Sequence, residues 1–109
     1  MQPSFGRKIL LVEDNEDELQ SLREHLERSG FSVIVAETGH KAMDIITRTL
    51  PDLALIDIYL PGNTTGFDVC RYLRRYAEVP IIFITSDDQE DTKVLALEEF
   101  AEDYVVKPY

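Results

Sequence analysis

The sequence predicts an α/β domain built on a doubly wound sheet of five parallel strands, from two observations. Short apolar runs alternate with amphipathic stretches along the whole chain, the order that yields a parallel sheet with right-handed crossovers and helices on both faces. The runs also lie roughly 20 to 28 positions apart, room for one helix and two short loops in each crossover.

The apolar runs are Ile9–Val12, Val33–Ala36, Leu53–Ile56, Ile81–Ile84 and Tyr104–Val106. Each is rich in branched residues and bounded by polar or turn residues, as strands buried on both faces should be. Between them, Leu19, Leu22 and Leu26 recur at helical spacing, with Asn15 as the N-cap and Gly30 as the stop. Ala42, Ile45 and Ile46 form a second stripe after a Thr38 cap, and Pro51 forbids further helix. Phe67, Cys70 and Leu73 mark a third helix, closed before Pro80, with Pro61 and Gly66 read as turn residues of the loop preceding it. Asp88 is placed to cap a fourth helix carrying Val94, Leu95 and Leu97. The predicted order is (βα)4β: residues 1–7 form a tail, residues 8–109 one domain, and the natural chain is expected to continue into a fifth helix.

Composition narrows the function. At 109 residues the chain fits one domain, and 44% hydrophobic residues suffice for a core. With 21 acidic against 11 basic residues, the net charge of −10 disfavours nucleic acid, whose binding depends on neutralising phosphates. Cys70 is the only cysteine, so no intramolecular disulfide forms, and its apolar setting suits a small core residue. The first residues lack the apolar segment of a secretory leader, and no run approaches the roughly 20 apolar residues that span a bilayer. A cytoplasmic location and no membrane association are expected.

In open α/β sheets, ligands gather beyond the carboxyl ends of the strands. Glu13 and Asp14 follow the first strand, Asp57 the third, Thr85 and Ser86 end the fourth, and Lys107 follows the fifth. Any one of these acids alone reads as a cap or turn residue. Three carboxylates converging on one edge repel one another unless a cation lies between them. Oxygen-only ligands suit Mg²⁺, which takes one or two carboxylates together with waters and a phosphate oxygen. A carboxylate held there can act as a nucleophile towards phosphorus when positive charge stabilises the incoming group. Lys107 supplies such a charge as a compact ammonium.

The segments Lys8-Ile-Leu-Leu-Val-Glu-Asp-Asn15, Leu55-Ile-Asp-Ile-Tyr-Leu-Pro61, Ile84-Thr-Ser86 and Asp103-Tyr-Val-Val-Lys-Pro-Tyr109, in that order, resemble the receiver domain of two-component response regulators. The resemblance runs from Arg7 to Tyr109 and implies a CheY-like, or flavodoxin-like, fold whose usual fifth helix is absent here. It further implies that a histidine kinase or histidine phosphotransfer protein donates a phosphoryl group to Asp57. Asp14, Asp57 and the backbone carbonyl of Tyr59 would bind Mg²⁺ directly, with Glu13 acting mostly through water. Lys107 would contact the phosphate, the Thr85 hydroxyl would swing towards it, and Tyr104 would move inward behind Thr85, a two-state switch. Apart from its own phosphoryl transfer and dephosphorylation such a domain is not an enzyme. Its output, by analogy transcription, would lie in another domain, and the resemblance allows for a homodimer.

Three positions depart from the family pattern. The Asp57-to-Gly66 stretch is one residue longer than usual, enlarging the 62–65 loop; Phe100 stands where glycine is usual; and Tyr59 is bulky and placed to shield a phosphoryl group from water. Two other functions compete with the switch. A phosphatase or nucleotide-using enzyme is disfavoured because Glu13-Asp14-Asn15-Glu16 lacks the glycines and lysine of a phosphate-cradling loop, and Tyr59 replaces the second acid of aspartate-based phosphatases. A docking module that has lost phosphorylation is disfavoured by intact Asp14, Asp57, Thr85 and Lys107.

Overall fold

The computed structural model describes residues 6–85 and 103–107. In chain order its elements are β1 (Lys8–Val12), α1 (Glu16–Arg28), β2 (Ser32–Ala36), α2 (Gly39–Arg48), β3 (Leu53–Asp57), α3 (Gly66–Arg74), β4 (Ile81–Thr85) and β5 (Asp103–Val106). All five predicted strands form, and they pair in parallel in the order β2-β1-β3-β4-β5. The predicted helix after Asp88, Ser86, Phe100 and Pro108 lie outside the described residues.

Strand alternation divides the core into two layers. Leu10, Val12, Ala54, Ile56, Ile81 and Phe83 point to the face covered by α2 and α3, where they meet Ala42, Ile46, Val69, Cys70 and Leu73. Ile9, Leu11, Leu55 and Ile84 point to the opposite face, against Leu19, Leu22 and Leu26 of α1. Both faces of each central strand are therefore apolar, which is why the strands read as continuous runs rather than alternating ones. Cys70 is fully buried, as its setting predicts. Phe67 meets Phe83 edge-on, with ring centroids 5.1 Å apart, locking α3 onto β4.

The helix ends follow from local chemistry. The Asn15 side chain accepts from the Glu18 N–H, and the Thr38 side chain from the Lys41 N–H. At the far end of α1, the Gly30 N–H bonds the Glu27 carbonyl and the Phe31 N–H bonds the Leu26 carbonyl. Gly30, at φ 98°, takes the left-handed conformation that this Schellman closure requires.

The third helix corrects the sequence reading of its start. Gly66 is the first residue of α3, not a loop residue. Thr65 caps it through a reciprocal capping box: the Asp68 N–H donates to the Thr65 hydroxyl, and the Thr65 N–H donates to the Asp68 carboxylate at 2.9 Å. In the same enlarged loop, the Thr64 side chain occupies the space a side chain on Gly39 would need, so the loop rests on the start of α2.

Candidate functional site: a carboxylate and lysine cleft

The sheet order places a topological switch point between β1 and β3, because the chain leaves β1 towards β2 and returns on the other side. Register then sets the neighbours. Val12 pairs with Ile56, so Glu13 and Asp57, each one residue further on, come side by side. Thr85 pairs with Val106, which carries Lys107 one step beyond β5.

Alternation determines which way these side chains aim. Glu13 continues the phase of Ile9 and Leu11, Asp57 that of Leu55, and Lys107 that of Val105, all residues of the α1-side layer. The three therefore converge under the start of α1. Lys107 Nζ lies 2.6 Å from Glu13 Oε1, 3.1 Å from Asp57 Oδ2 and 2.7 Å from Glu18 Oε2. Glu13, Asp14, Asn15, Glu18, Asp57, Tyr59 and Lys107 line a cleft of about 460 Å³.

Glu18 is the site residue that strand-end reasoning misses. Its signal lies in the helix: Glu18, Leu22 and Leu26 are four residues apart, so Glu18 extends the inner stripe of α1 to the sheet edge. The backbone helps hold the acids in place. The Asn15 N–H donates to Glu13 Oε2 and the Tyr59 N–H to Asp57 Oδ1, both at 3.0 Å.

Burial dominates the electrostatics. Glu13 is 0% and Asp57 5% exposed, the two buried charged residues among those described. Desolvation pushes both carboxyls above their ordinary pKa, against the opposing pull of Lys107 and the backbone N–H donors. For Lys107, burial alone would lower the pKa, but its contacts with Glu13, Glu18 and Asp57 outweigh it and raise the value. Glu13 Oε1 is buried and ion-paired with Lys107 at 2.6 Å, but among the described residues no donor reaches it in hydrogen-bond geometry.

These residues fit a hard cation. One carboxylate oxygen each from Glu13, Asp14 and Asp57 lie within 4.8 Å of one another, and Asp14 is exposed at the cleft mouth. An all-oxygen set with an unsatisfied buried acceptor suits Mg²⁺ better than a transition metal preferring nitrogen or sulfur. Tyr59 lines the same cleft with 55% of its surface exposed. The backbones of Thr85 and Tyr104 lie in β4 and β5, with Tyr104 beside Phe83; their side chains lie outside the described residues.

Fold and site together define a doubly wound α/β domain with a carboxylate and lysine cleft at its switch point. The family model for the response regulator receiver domain matches residues 9–109. Among solved structures, the chain is similar to the BeF3-activated N-terminal receiver domain of Klebsiella pneumoniae RstA, at 37% identity and a TM-score of 0.86 over 94% of this chain and 87% of that one. It is also similar to a two-component response regulator from Clostridium difficile, at 28% identity and a TM-score of 0.88 over 94% of this chain and 84% of that one. A CheY-like receiver domain protein from Methanospirillum hungatei JF-1 matches at 28% identity and a TM-score of 0.87 over 95% of this chain and 83% of that one. The chain belongs to the receiver-domain family of two-component response regulators and has its CheY-like fold. No helix among the described residues is long and apolar enough to cross a membrane.

Proposed function

We propose that this receiver domain is a phosphorylation switch whose Asp57 accepts a phosphoryl group from a histidine kinase or histidine phosphotransfer protein. The observation that carries the reading is the placement of Asp57: a buried carboxylate 3.1 Å from an ammonium and beside two further acids able to share a cation. An Asp57 carboxylate oxygen attacks the phosphorus of the phosphohistidine. The new O–P bond forms as the P–N bond breaks, and the bonding pair leaves on the imidazole nitrogen. Mg²⁺, held by Glu13, Asp14, Asp57 and the Tyr59 carbonyl, would neutralise charge on the transferred group. Lys107 neutralises part of the rest and orients the acceptor oxygen. Thr85 and Tyr104 would read out the phosphorylated state, and the output, control of transcription through another domain, follows from that change. The proposed setting is cytoplasmic, with no nucleic-acid contact by this acidic domain.

Incubation with Mg²⁺ and acetyl phosphate, followed by intact-mass measurement, tests the reading. The parent should gain a single phosphate adduct and Asp57→Asn none. A parent that gains no adduct would favour a docking module, and steady turnover of a phosphoester would favour an enzyme.

Tyr59 supports a second expectation. Its ring stands at the mouth of the cleft, where it can hinder an attacking water. Tyr59→Asn should lose its phosphoryl group faster by roughly three- to tenfold, a change of at most about 1.4 kcal/mol in the barrier. Equal adduct lifetimes by mass spectrometry would remove that role.

A further inference from the structure

A lysine ammonium has three N–H donors, and three carboxylates surround that of Lys107. Glu13 and Asp57 belong to the site by register. Glu18 does not: it reaches Lys107 from the first turn of α1, across a sequence separation of 89 residues, and is the closer of the two acids that hydrogen-bond the ammonium. Nothing in the acceptor chemistry calls for it. Among the described residues, Glu18 adds a fourth carboxylate to a cleft lined by Glu13, Asp14 and Asp57 and faced by one lysine.

We infer that Glu18 is a positioning residue that restrains phosphorylation by holding the Lys107 ammonium in its unphosphorylated arrangement. The inference rests on the reading of Asp57 as the acceptor. A transferred phosphoryl group brings up to two negative charges and three acceptor oxygens into the cleft. Lys107 donates to Glu18 and Asp57 and is ion-paired with Glu13, so to follow one of those oxygens it must loosen its hold on a carboxylate. Glu13 is fully buried beside Lys107, so giving up its counter-charge there is costly. Glu18 has a side chain 38% exposed, so water can solvate it once Lys107 departs. Asp57 itself carries the phosphoryl group, so its contact moves with that group; of the other two, the Glu18 contact is the one that yields, and its strength sets how readily Lys107 is recruited.

The local architecture makes the test clean. The Glu18 backbone N–H, not its side chain, completes the Asn15 cap, so side-chain changes leave the cap in place. Glu18→Gln keeps the size and removes the charge. Glu18→Asp keeps the charge but draws it back by one methylene, out of reach of Lys107. The acetyl phosphate concentration giving half-maximal adduct at saturating Mg²⁺ should fall about fivefold in Glu18→Gln, the effect of one unit charge near 4 Å in a water-like medium. Beryllofluoride affinity, followed by tyrosine fluorescence, should rise by a similar factor without covalent transfer.

Glu18→Asp should show a smaller gain in the same direction, because the direct contact is lost although the charge remains nearby. A gain in Glu18→Gln with parental behaviour in Glu18→Asp would overturn the positioning role in favour of bulk charge. Unchanged or weakened values in Glu18→Gln would overturn it outright, the weakened case marking Glu18 as a brace between α1 and β5. A parent that binds beryllofluoride but gains no adduct would count against the acceptor reading, while the beryllofluoride values of the two variants still decide the role of Glu18.

Discussion

Lys107→Met should destabilise the protein in EDTA by about 3 kcal/mol near neutral pH, the typical result of removing one partner from a buried ion pair. The ammonium is 12% exposed and lies against Glu13 and Asp57, whose side chains are 0% and 7% exposed. Without it two desolvated carboxylates remain side by side with no counter-charge among the described residues at the cleft. The pH dependence follows from the same groups. Glu13 and Asp57 have folded-state pKa values raised by burial, so the folded state binds their protons more tightly than the unfolded chain. Their contribution to stability is fully present below the ordinary carboxylate pKa and is lost as pH rises through the raised values. Lys107 has the matching sign: its pKa is raised in the fold, so its contribution is present below the ordinary lysine value, including at neutral pH. The deficit of Lys107→Met should therefore be greatest above the raised carboxylate values and shrink on acidification. Urea denaturation from pH 4 to pH 8 measures it; a deficit independent of pH would mean that packing, not charge, is what Lys107 supplies. On the proposed function, added Mg²⁺ recovers part of the loss by occupying the same acids.

Gly66→Ala should be at least as damaging, with a cause that is steric instead of electrostatic. A Cβ at this position would lie 2.3 Å from the Asp57 carbonyl oxygen, 2.8 Å from Ile58 Cα and 2.9 Å from the Asp57 carbonyl carbon. All three are backbone atoms of the strand end that carries Asp57, so no side chain can rotate to make room. The Gly66 N–H also donates to the Ile58 carbonyl at 2.8 Å, pressing α3 against that loop. Overpacking of this kind costs roughly 3 kcal/mol. In a domain of this size that is a fall in Tm on the order of 10 °C. Because two of the displaced atoms belong to Asp57, adduct formation should on the proposed function fall with stability, and a thermal melt beside the mass measurement tests both. A folded Gly66→Ala with parental Tm would show that the loop yields without cost.

The central strands β1 and β3 were legible because each is buried on both faces and must be apolar on both. Asn15, Thr38 and Gly30 were legible because a cap or stop needs only its own side chain, or the lack of one, and the nearby backbone. Thr65 escaped notice within Gly62-Asn-Thr-Thr65, where every residue has the composition of a loop. Its capping role depends on Asp68 reaching back and on the backbone entering the helix one residue before Phe67. Glu18 is not legible in the same way because it lies in the first turn of α1 and not at a strand end. Seeing it requires knowing that Glu13, Asp57 and Lys107 all aim at the α1 side.

The sequence by itself determined the strands, the Asn15 and Thr38 caps and the strand-end acids and lysine at the carboxyl edge, because burial on two faces and local capping leave marks within a few residues of each position. Only the tertiary structure decided the order β2-β1-β3-β4-β5, the pairing that sets Glu13 beside Asp57, the close approach of Gly66 to the Asp57 carbonyl and the addition of Glu18. Those depend on which strand lies beside which and in what register, and on which helix covers which face. Such contacts join residues as far apart as Glu18 and Lys107, and no local pattern of side chains encodes that distance.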